Sequence, residues 1–346
     1  MAKNIEFVIK PTFRCNGACS YCNVAETGLF MEEPVIESVF RRLAEYLEQN
    51  PLDETTILWH GGEPTLMGES FFRKVLELQP LISGRAVHHV MQSNLTRMTP
   101  ALADILCELL NGGGIGTSLD PFSGYRRLKN GEPYAERWYE GFELVRSRGF
   151  RVGMVYVAHG ESAGFGKRIY HFFKNLGVDS LTLIPLEEPA GKFDGARLDP
   201  QSWGRFLVEV YRAWEEDYGS LPVEPFANWA DFAREKQSPS CGFPEGLHCC
   251  EPTVAVSPTG GVYPCVRLLD VGSGAIGNLA ADSLEKILSH PDALWRSRRR
   301  DILRNGECAS CRWWDFCAGG CAAACGFGRK TVWCEGYKLF FEAVNE

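Results

Sequence analysis

The segment RCNGACSYCN, residues 14–23, carries three cysteines, Cys15, Cys19 and Cys22, at a C-x3-C-x2-C spacing. Three thiols are an odd number for disulfide pairing and one too few for a closed tetrahedral zinc site. A cubane 4Fe–4S cluster normally takes four thiolates, so three cysteines leave one iron open to a small chelating ligand. The segment therefore predicts an incompletely ligated iron–sulfur cluster. A zinc knuckle that borrows a ligand from elsewhere in the chain is the alternative.

Strand-like and helix-like segments alternate from this region to beyond the middle of the chain. The strand-like segments are short and apolar, at residues 5–10, 55–60, 87–92, 114–119, 151–158 and 180–186. Between them apolar residues recur three and four positions apart, as in residues 34–49, which is typical of amphipathic helices. Six strand–helix repeats with apolar strands predict a parallel sheet curled into all or most of a barrel. We therefore assign residues 1–198 to an α/β fold, a partial (β/α)6 TIM-like barrel.

The character of the sequence changes after the sixth repeat. Residues 200–219 predict one further amphipathic helix, and we treat residues 199–235 as a bridging helical segment. Beyond it the chain is rich in Cys, Gly and Pro, and 10 of the 14 cysteines lie between residues 241 and 334. A region with so little regular pattern needs another source of stability, which metal clusters supply. We therefore expect an irregular, cysteine-rich iron–sulfur domain over residues 236–346.

Composition and charge argue against several classes of protein. The chain has 346 residues and a formal net charge of −8, which argues against a nucleic-acid partner. No run approaches the roughly 18 apolar residues of a membrane-spanning helix, so we expect no membrane partner and a cytoplasmic location. Thiols stay reduced in that compartment, so clustered cysteines are expected to be metal ligands rather than disulfides.

Polar residues and glycines follow the predicted strands, at the rim where barrel enzymes keep their sites. HGGEP (60–64) comes after the second strand; its glycines permit a close approach of the backbone to a ligand, and Glu63 offers an acceptor for an ammonium group. Arg127 carries a guanidinium that suits a carboxylate, although Arg126 is adjacent. After strands three and four come the small polar residues Gln92, Ser93, Asn94, Ser118 and Asp120.

The C-x3-C-x2-C spacing just past a first strand, with Tyr21 before the last cysteine, resembles the radical S-adenosylmethionine (SAM) superfamily. The resemblance covers residues 5–195. It implies that SAM chelates the open iron through its amino and carboxylate groups. It also implies that one-electron cleavage of SAM gives a 5′-deoxyadenosyl radical, which abstracts a hydrogen from the substrate.

The same resemblance implies how the cofactor is held. The GGEP segment is expected to bind the methionyl amino group, and the polar residues after strands three and four its ribose and carboxylate. The strand at 180–186 is similar to the adenine-side strand of the family. The implied cofactor-binding residues are Tyr21, Gly61, Gly62, Glu63, Pro64, Gln92, Ser93, Asn94, Ser118, Asp120, Arg127 and Ile184.

The C-terminal cysteines resemble the SPASM domain, an extension of this superfamily that carries two auxiliary 4Fe–4S clusters. The resemblance rests on two spacings, C-x9-G-x4-C ending at Cys265 and C-x2-C-x5-C-x3-C beginning at Cys308. By analogy one cluster is held by Cys308, Cys311, Cys317 and Cys334. The other cluster is held by Cys265 and Cys321, completed from Cys241, Cys249 and Cys250, so that three candidates compete for two places. Zinc is the alternative for these cysteines.

Enzymes with a SPASM domain mostly modify peptide or protein side chains, and auxiliary clusters provide a path for the electron that an oxidation releases. Our leading hypothesis is a maturase that installs an oxidative crosslink in a ribosomally made precursor peptide. The alternatives are a sulfatase-maturing enzyme that forms formylglycine and a small-molecule dehydrogenase. In the sulfatase-maturing family an aspartate following a SPASM cysteine is thought to act as base. Here Val266 follows Cys265, which counts against that alternative.

Further expectations concern partners and the catalytic base. We expect a flavodoxin- or ferredoxin-type electron donor. Few residues precede the first strand, so leader recognition is expected to use the barrel, the SPASM surface or a separate protein. The sequence does not select among the candidate bases or radical-quenching residues, which are Asp120, His159, Glu187, Tyr125 and Tyr156.

Overall fold

The structure is a computed structural model that describes most of the chain. The described residues are 4–24, 27–50, 54–82, 86–187, 193, 195, 197–227, 229, 253–291, 301–321 and 329–344. The chain divides into two compact units, which are described separately below. The N-terminal unit combines residues 1–152 with residues 250–294, and the C-terminal unit combines residues 153–249 with residues 295–346.

The strands named here are those of the described residues, in chain order. They are β1 (Asn4–Ile9), β2 (Glu54–Trp59), β3 (Val87–Gln92), β4 (Gly114–Thr117), β5 (Arg151–Ala158), β6 (Ser180–Pro185), β7 (Val223–Glu224), β8 (Thr253–Val256), β9 (Gly261–Tyr263) and β10 (Gly277–Asn278). The six strands predicted from the sequence are β1 to β6, each within two residues of its expected bounds. The last four strands were not predicted.

The α-helices follow the periodic segments of the sequence. They are α1 (Glu33–Gln49), α2 (Gly68–Leu78), α3 (Pro100–Leu110), α4 (Tyr134–Ser147), α5 (Gly166–Leu176), α6 (Pro200–Glu216), α7 (Val266–Asp270), α8 (Leu284–Leu288), α9 (Trp314–Cys317) and α10 (Cys334–Val344). Helices α3 and α6 start at a proline, and in each the preceding residue, Thr99 or Asp199, accepts a hydrogen bond from the first turn. None of the helices in the described part of the chain is long and apolar enough to cross a membrane.

The N-terminal unit is built on a sheet whose strands β1, β2, β3 and β4 are neighbours and run parallel. On the other side of β1 lies β8, also parallel, with Glu6 opposite Thr253, and β9 and β10 continue the sheet in antiparallel fashion. The segment from β8 to β10 belongs to the region that we assigned by sequence to the C-terminal domain. The compact units therefore divide the chain differently from the predicted boundaries at 198 and 235, because β8 forms its hydrogen bonds with the first strand of the barrel.

The C-terminal unit contains the parallel strands β5, β6 and β7. Its helices α6 and α10 cross at two glycines: a Cβ on Gly336 would lie 2.1 Å from the carbonyl oxygen of Pro200, and one on Gly204 would lie 2.5 Å from that of Gly336. Beside this crossing, the Phe340 ring stacks on Phe226 at 5.4 Å. Close helix packing and aromatic contacts therefore form the core of this unit.

Candidate active site

The segment that carries Cys15, Cys19 and Cys22 is held by the loop that follows β4. Three backbone hydrogen bonds join the two loops, from Ala18 N to Arg127 O (2.7 Å), from Ser20 N to Tyr125 O (3.0 Å) and from Lys129 N to Asn16 O (2.9 Å). The cysteines follow β1, so they lie beyond the carboxyl end of a parallel strand. The barrel scaffold therefore fixes the backbone of the cysteine loop.

The glycines of HGGEP permit a close approach of two backbones. A Cβ on Gly61 would lie 2.4 Å from the carbonyl oxygen of Thr12, and a Cβ on Gly62 would lie 2.3 Å from that of Arg14. Gly61 also has φ +139°, a backbone conformation that favours glycine. The sequence predicted an approach to a ligand, whereas the close approach in the structure is to the segment that leads to Cys15.

The Glu63 side chain is fully buried and accepts four hydrogen bonds. Thr65 donates to Oε1 from its backbone N–H (3.0 Å) and its hydroxyl (2.7 Å), and the Ser93 hydroxyl donates to the same oxygen (2.8 Å). The backbone N–H of Asn94 donates to Oε2 at 2.7 Å. Burial nevertheless raises the pKa of Glu63 above its ordinary value. The carboxylate is thus locked in position between the loops after β2 and β3, and the second lone pair of Oε2 is available to an ammonium donor.

Two nitrogen atoms lie near the Cys15 sulfur. The backbone N–H of Gly17 donates to Sγ at 3.2 Å, and the Asn94 amide nitrogen lies 3.7 Å from it. Burial, the carboxylate of Glu63 and the neighbouring thiols raise the pKa of Cys15 to about 12. A bound cation is therefore needed to keep this sulfur as a thiolate, as happens when cysteine ligates iron.

The donor set fits an iron–sulfur cluster better than a single metal ion. Within the described residues, no three Cys, His, Asp or Glu side chains are close enough together to hold one ion. A cubane joins each cysteine to a different iron atom, so its three sulfurs need not converge on one point. Hydrogen bonds to sulfur, such as the one from Gly17 to Cys15, are also a means by which proteins set the potential of such clusters.

Tyr21, Asp120 and Arg126 form a buried cluster beside the cysteine loop. The Tyr21 hydroxyl donates to Asp120 Oδ2 at 2.5 Å, and Arg126 Nε lies 3.1 Å from Asp120 Oδ1 in an ion pair. The guanidinium also lies over the Tyr21 ring, 5.4 Å from its centroid. Arg127, the arginine favoured by the sequence, is exposed and donates to the carbonyl oxygen of Gly124 at 3.0 Å. The structure therefore places Arg126, and not Arg127, beside Tyr21 and Asp120.

Gln92 and Ser118, predicted after strands three and four, are neighbours. The Gln92 amide donates to Ser118 Oγ at 3.4 Å. A Cβ on Gly116 would lie only 2.1 Å from Gln92 Oε1, so the glycine makes room for this side chain. The predicted polar residues of the N-terminal unit thus follow the ends of adjacent parallel strands, where ligands bind in α/β folds.

Four further candidates belong to the C-terminal unit. The buried Tyr156 shares a hydrogen bond with Ser162 Oγ at 2.8 Å, and the backbone N–H of His159 donates to the same oxygen at 2.9 Å. These contacts join the end of β5 to Ser162, and the catalytic roles of Tyr156 and His159 stay predictions. Ile184 lies on β6 opposite Val157 and Glu187 follows that strand; both are half-buried.

Three cysteines predicted to share one auxiliary cluster lie close enough together for the charge of one to shift the pKa of another. Burial raises the pKa of Cys308, and the thiols of Cys311 and Cys334 raise it further. Burial likewise raises the pKa of Cys334. Cys308 packs with Leu303 and Trp314, so these thiols lie beside an apolar cluster.

The remaining predicted ligands are distributed over different parts of the chain. Cys265 is buried and caps the N-terminus of α7 in the N-terminal unit. Cys317 ends α9, and the buried Cys321 follows in the C-terminal unit. Their ligand roles stay predictions. Cys241, Cys249 and Cys250 lie outside the described residues.

Sequence reasoning missed several charged residues near the site. Arg126 was considered only as a neighbour of Arg127. Lys10, His60 and Asp270 were not considered, although Lys10 follows β1 directly and is completely buried. A lysine at the carboxyl end of an otherwise apolar strand was the available signal, because a buried lysine normally needs a partner.

Two family models match the chain. The Radical SAM superfamily matches residues 9–165, and the SPASM iron–sulfur cluster-binding domain matches residues 249–312. The first range includes the three cysteines and the HGGEP segment, and the second includes Cys265 and Cys308. Both families implied by the cysteine spacings are therefore confirmed.

Relatives with assigned names match nearly the whole chain. The serine-type anaerobic sulfatase-maturating enzyme of Klebsiella aerogenes is 29% identical, over 95% of this chain and 82% of its own length. The cysteine-type anaerobic sulfatase-maturating enzyme of Clostridium perfringens (strain ATCC 13124) is 27% identical, over 98% of this chain and 95% of its own length.

Solved structures share the fold. The structure of native anSMEcpe with bound AdoMet and Cp18Cys peptide superimposes with a TM-score of 0.86 at 23% identity, over 99% of this chain and 97% of that one. Streptococcus suis SuiB bound to precursor peptide SuiA gives a TM-score of 0.65 at 17% identity, over 93% of this chain and 73% of that one. The predicted fold class, a partial α/β barrel with a C-terminal SPASM domain, is confirmed.

The chain thus contains a radical SAM domain and a SPASM domain. Its radical SAM domain binds a 4Fe–4S cluster and S-adenosylmethionine, and its SPASM domain binds further iron–sulfur clusters. The predicted enzyme class and cofactors are confirmed. In the site described above, Cys15, Cys19 and Cys22 are the residues that fit the first cluster.

Proposed function

We propose that this enzyme oxidises a serine or cysteine side chain of a protein or peptide substrate to formylglycine, the reaction of sulfatase maturation. The observation that carries the proposal is how much of the chain aligns with sulfatase-maturating enzymes. Relatives named as serine-type and cysteine-type maturating enzymes align with 95% and 98% of this chain, so the likeness includes the cysteine-rich C-terminal region. The precursor-peptide crosslink, our leading hypothesis from the sequence, becomes the second candidate.

The N-terminal unit has residues suited to binding and positioning the cofactor. Glu63 would accept a hydrogen bond from the amino group of SAM, since its carboxylate is held rigidly by Thr65, Ser93 and Asn94. Gln92 and Ser118 would contact the ribose or carboxylate. When bound, the cluster and SAM supply a one-electron cleavage that yields a carbon radical able to take a hydrogen atom from substrate. We propose that a flavodoxin or ferredoxin supplies the electron.

The cysteines of the SPASM region would accept the electron released by the substrate. We propose two auxiliary clusters, one on Cys308, Cys311, Cys317 and Cys334, and a second that includes Cys265 and Cys321. The charges of the Cys311 and Cys334 thiols act on the pKa of Cys308, which requires that the three thiols lie close together and so supports the first set. An electron acceptor is required because oxidation of an alcohol or thiol to a carbonyl removes two electrons, and the hydrogen atom carries away only one.

One observation favours the second candidate, a crosslink in a precursor peptide. Val266, at the position where an aspartate would be expected for formylglycine formation, packs against the apolar cluster of Val8, Ala255 and Leu269. The likeness of the fold to SuiB, whose structure was solved with precursor peptide SuiA, is compatible with such a substrate. The two candidates differ in product, because only formylglycine carries an aldehyde.

The experiment uses the anaerobically purified enzyme with its clusters loaded, SAM and a one-electron reductant. Sulfatase peptides that present either cysteine or serine at the reacting position are the substrates, with an alanine peptide as the matched control. We expect 5′-deoxyadenosine together with a peptide that reacts with an aldehyde-specific hydroxylamine probe, from the cysteine or serine peptide only. Mass spectrometry with fragmentation locates the change.

The result that would overturn the proposal is equally specific. Production of 5′-deoxyadenosine without any probe-reactive peptide would show cofactor cleavage that is not coupled to formylglycine formation. A precursor peptide that loses two hydrogens, resists the probe and gains an internal bond would establish the crosslinking candidate instead.

A further inference from the structure

A fully buried lysine lies at the end of β1, outside the cofactor-binding residues described above. Lys10 continues the parallel ladder, donating its backbone N–H to the carbonyl oxygen of Val256 at 2.9 Å. Its ammonium group forms an ion pair with Asp270, whose side chain is 18% exposed. The ammonium group has three N–H donors, and Asp270 is its one acceptor within the described residues. A buried cation with spare donors is costly unless it serves a further partner.

Helix α7 brings Asp270 to the lysine. Val266, Leu269 and Asp270 are spaced three and four residues apart and so share one face of the helix. The first two pack against Val8 of β1 and Ala255 of β8. The apolar part of this face therefore docks the helix on the sheet, and its last residue, Asp270, reaches the carboxyl end of β1.

His60 occupies the corresponding place at the end of the neighbouring strand β2. Its backbone N–H donates to the carbonyl oxygen of Ile9 at 2.9 Å, and its ring Nδ1 accepts from the backbone N–H of Gly61 at 2.7 Å. Burial and the charge of Lys10 lower the pKa of His60 to about 3, so the ring is neutral at physiological pH. Because Nδ1 is the acceptor, the proton of the neutral ring is on Nε2, which is a donor.

Lys10 thus lies close enough to His60 for its charge to act on the ring, and it pairs with the carboxylate of Asp270. Both residues lead directly into the cofactor site, since His60 precedes the Gly61–Glu63 loop and Lys10 precedes the segment of Cys15. The other end of α7 is capped by Cys265, a predicted ligand of an auxiliary cluster. The cluster of Lys10, His60 and Asp270 therefore lies at the same edge of the sheet as the cofactor-binding loops.

The proposed oxidation needs a proton acceptor that the other carboxylates of this edge do not provide. Glu63 is fully buried and accepts four hydrogen bonds, and Asp120, whose side chain is 1% exposed, accepts from Tyr21 and forms an ion pair with Arg126. Asp270 accepts from Lys10 at Oδ1, and its Oδ2 accepts no hydrogen bond from the described residues. A partly exposed carboxylate with a vacant oxygen is suited to a substrate hydroxyl or thiol.

We propose that Asp270, held by Lys10, binds the reacting side chain of the substrate and takes its proton. This inference rests on the proposed function and adds to it a catalytic residue that the chain uses in place of an acid at position 266. Lys10 acts as a positioning residue, because it fixes Oδ1 and leaves Oδ2 to the substrate.

The step balances as follows. The substrate CH2–OH or CH2–SH group gives one hydrogen atom from carbon to the radical derived from SAM. The remaining O–H or S–H proton passes to Asp270, and the remaining electron passes to an iron–sulfur cluster of the SPASM domain. The carbon–oxygen or carbon–sulfur double bond forms as the O–H or S–H bond breaks. A thiocarbonyl then exchanges its sulfur for the oxygen of water, which gives the aldehyde and hydrogen sulfide.

The test separates hydrogen abstraction from proton removal. A serine or cysteine sulfatase peptide deuterated at the reacting carbon is incubated with the loaded enzyme. Two quantities are measured: deuterium in 5′-deoxyadenosine and aldehyde in the peptide. Their ratio is independent of the fraction of enzyme that is folded. The variants are Asp270→Asn, Asp270→Glu and, as a matched control, Asp104→Asn, which removes an exposed carboxylate that pairs with Arg148.

For Asp270→Asn we expect the ratio of aldehyde to transferred deuterium to fall by at least about 100-fold, the usual contribution of a general base. Asp270→Glu keeps a carboxylate but displaces it, so the ratio should fall about 10-fold. Asp104→Asn should leave the ratio unchanged.

Two results would end the inference, and they differ. An unchanged ratio in both Asp270 variants would exclude Asp270 as the proton acceptor while leaving formylglycine formation intact. Absence of aldehyde from the wild-type enzyme, with 5′-deoxyadenosine still formed, would remove the proposed function and the inference with it.

Discussion

The two cysteine regions of this protein are held in place by different means. Around Cys15 most backbone hydrogen bonds are long-range, joining the loop after β1 to residues 125–129 and to Gly62 and Glu63, which follow other strands. Between described residues, the backbone hydrogen bonds donated by the C-terminal cysteines are local, and each joins a cysteine to a residue at most five positions away. These bonds run from Cys308 N to Leu303 O, from Cys311 N to Cys308 O, from Cys317 N to Trp313 O and from Cys334 N to Thr331 O.

The difference indicates where each region obtains its stability. The Cys15 loop takes its shape from a sheet that exists independently of any cluster. The C-terminal cysteines lie in short turns beside α9 and α10, and local turns of this length contribute little stability without a further constraint. We therefore expect iron to complete a preformed site in the first region and to help fold the second.

The largest expected effect comes from removing the first set of cysteines. Replacing Cys15, Cys19 and Cys22 together with alanine should reduce formation of 5′-deoxyadenosine to background, because SAM loses the iron that it chelates. Iron bound by the C-terminal cysteines should remain, and the fold should be retained. Iron analysis and product chromatography measure both quantities, with Cys107→Ala as the control.

Retained cleavage of SAM in the triple variant would contradict the assignment of these cysteines. Loss of all iron would instead contradict the independence of the two regions.

The buried ion pair beside the first cysteine loop should have the next largest effect. Arg126→Ala leaves the carboxylate of Asp120, whose side chain is 1% exposed, without its cation. Removal of one partner of a buried pair typically costs about 3–5 kcal/mol. Arg127→Ala, at an exposed position, should change the free energy of unfolding by less than about 0.5 kcal/mol. Denaturant unfolding of the two variants measures the contrast, and equal costs would show that Arg126 is not a buried partner.

In the C-terminal unit the helix crossing offers a test of packing without cysteine. A Cβ on Gly336 would lie 2.1 Å from a backbone oxygen of α6, so Gly336→Ala must force the helices apart. Overpacking of this kind costs about 1–3 kcal/mol. The matched change Gly274→Ala adds a Cβ that meets no atom within 4 Å and should be nearly neutral. Hydrogen exchange of α6 and α10 should be accelerated in the first variant alone.

The smallest expected effect is a decrease in the free energy of unfolding at acidic pH. His89 in the N-terminal unit is buried and accepts a hydrogen bond from Trp59 Nε1 at 3.1 Å, and burial lowers its pKa to about 4. The unfolded chain takes up this proton near pH 6.5, so stability is full above that pH and decreases as the pH falls towards 4. Between pH 6.5 and 5.5 the contribution of His89 to this loss should be about 1 kcal/mol.

Unfolding midpoints at several pH values measure this loss. His89→Gln keeps an acceptor for Trp59 and should make the pH dependence shallower, whereas replacement of the exposed neighbour His88 should not. The same slope in the two variants would contradict the assignment to His89.

Much of the fold could be predicted from local pattern. The alternation of apolar strands and amphipathic helices gave β1 to β6 and the helices between them, because periodicity reports directly which face of an element is buried. Strand β8 could not be recognised, since TVAV (253–256) is a short apolar run in a cysteine-rich region. Its partner β1 is almost 250 residues away, and no local pattern reports such a pairing.

The candidate site was predicted in part. The structure brings Glu63, Ser93 and Asn94 together, as their positions after adjacent strands implied. It places Arg126 beside Asp120 and leaves Arg127, which was predicted to pair with the cofactor carboxylate, exposed, because the side chains of adjacent residues in a loop point in different directions and only the backbone path decides which is buried. The ligand roles of the C-terminal cysteines stay predictions.

The sequence by itself determined which cofactors the chain binds. They are specified by three cysteines at a fixed spacing, a glycine–glutamate segment and a second set of cysteines. These roles could be predicted because they depend on residue type and on short separations along the chain. Only the tertiary structure decided which charges meet. Lys10, His60 and Asp270 lie up to 260 residues apart, and β8 and α7 bring them to one edge of the sheet. A buried charge selects its partner by proximity in space, because in a medium of low dielectric constant only a nearby opposite charge offsets the loss of water.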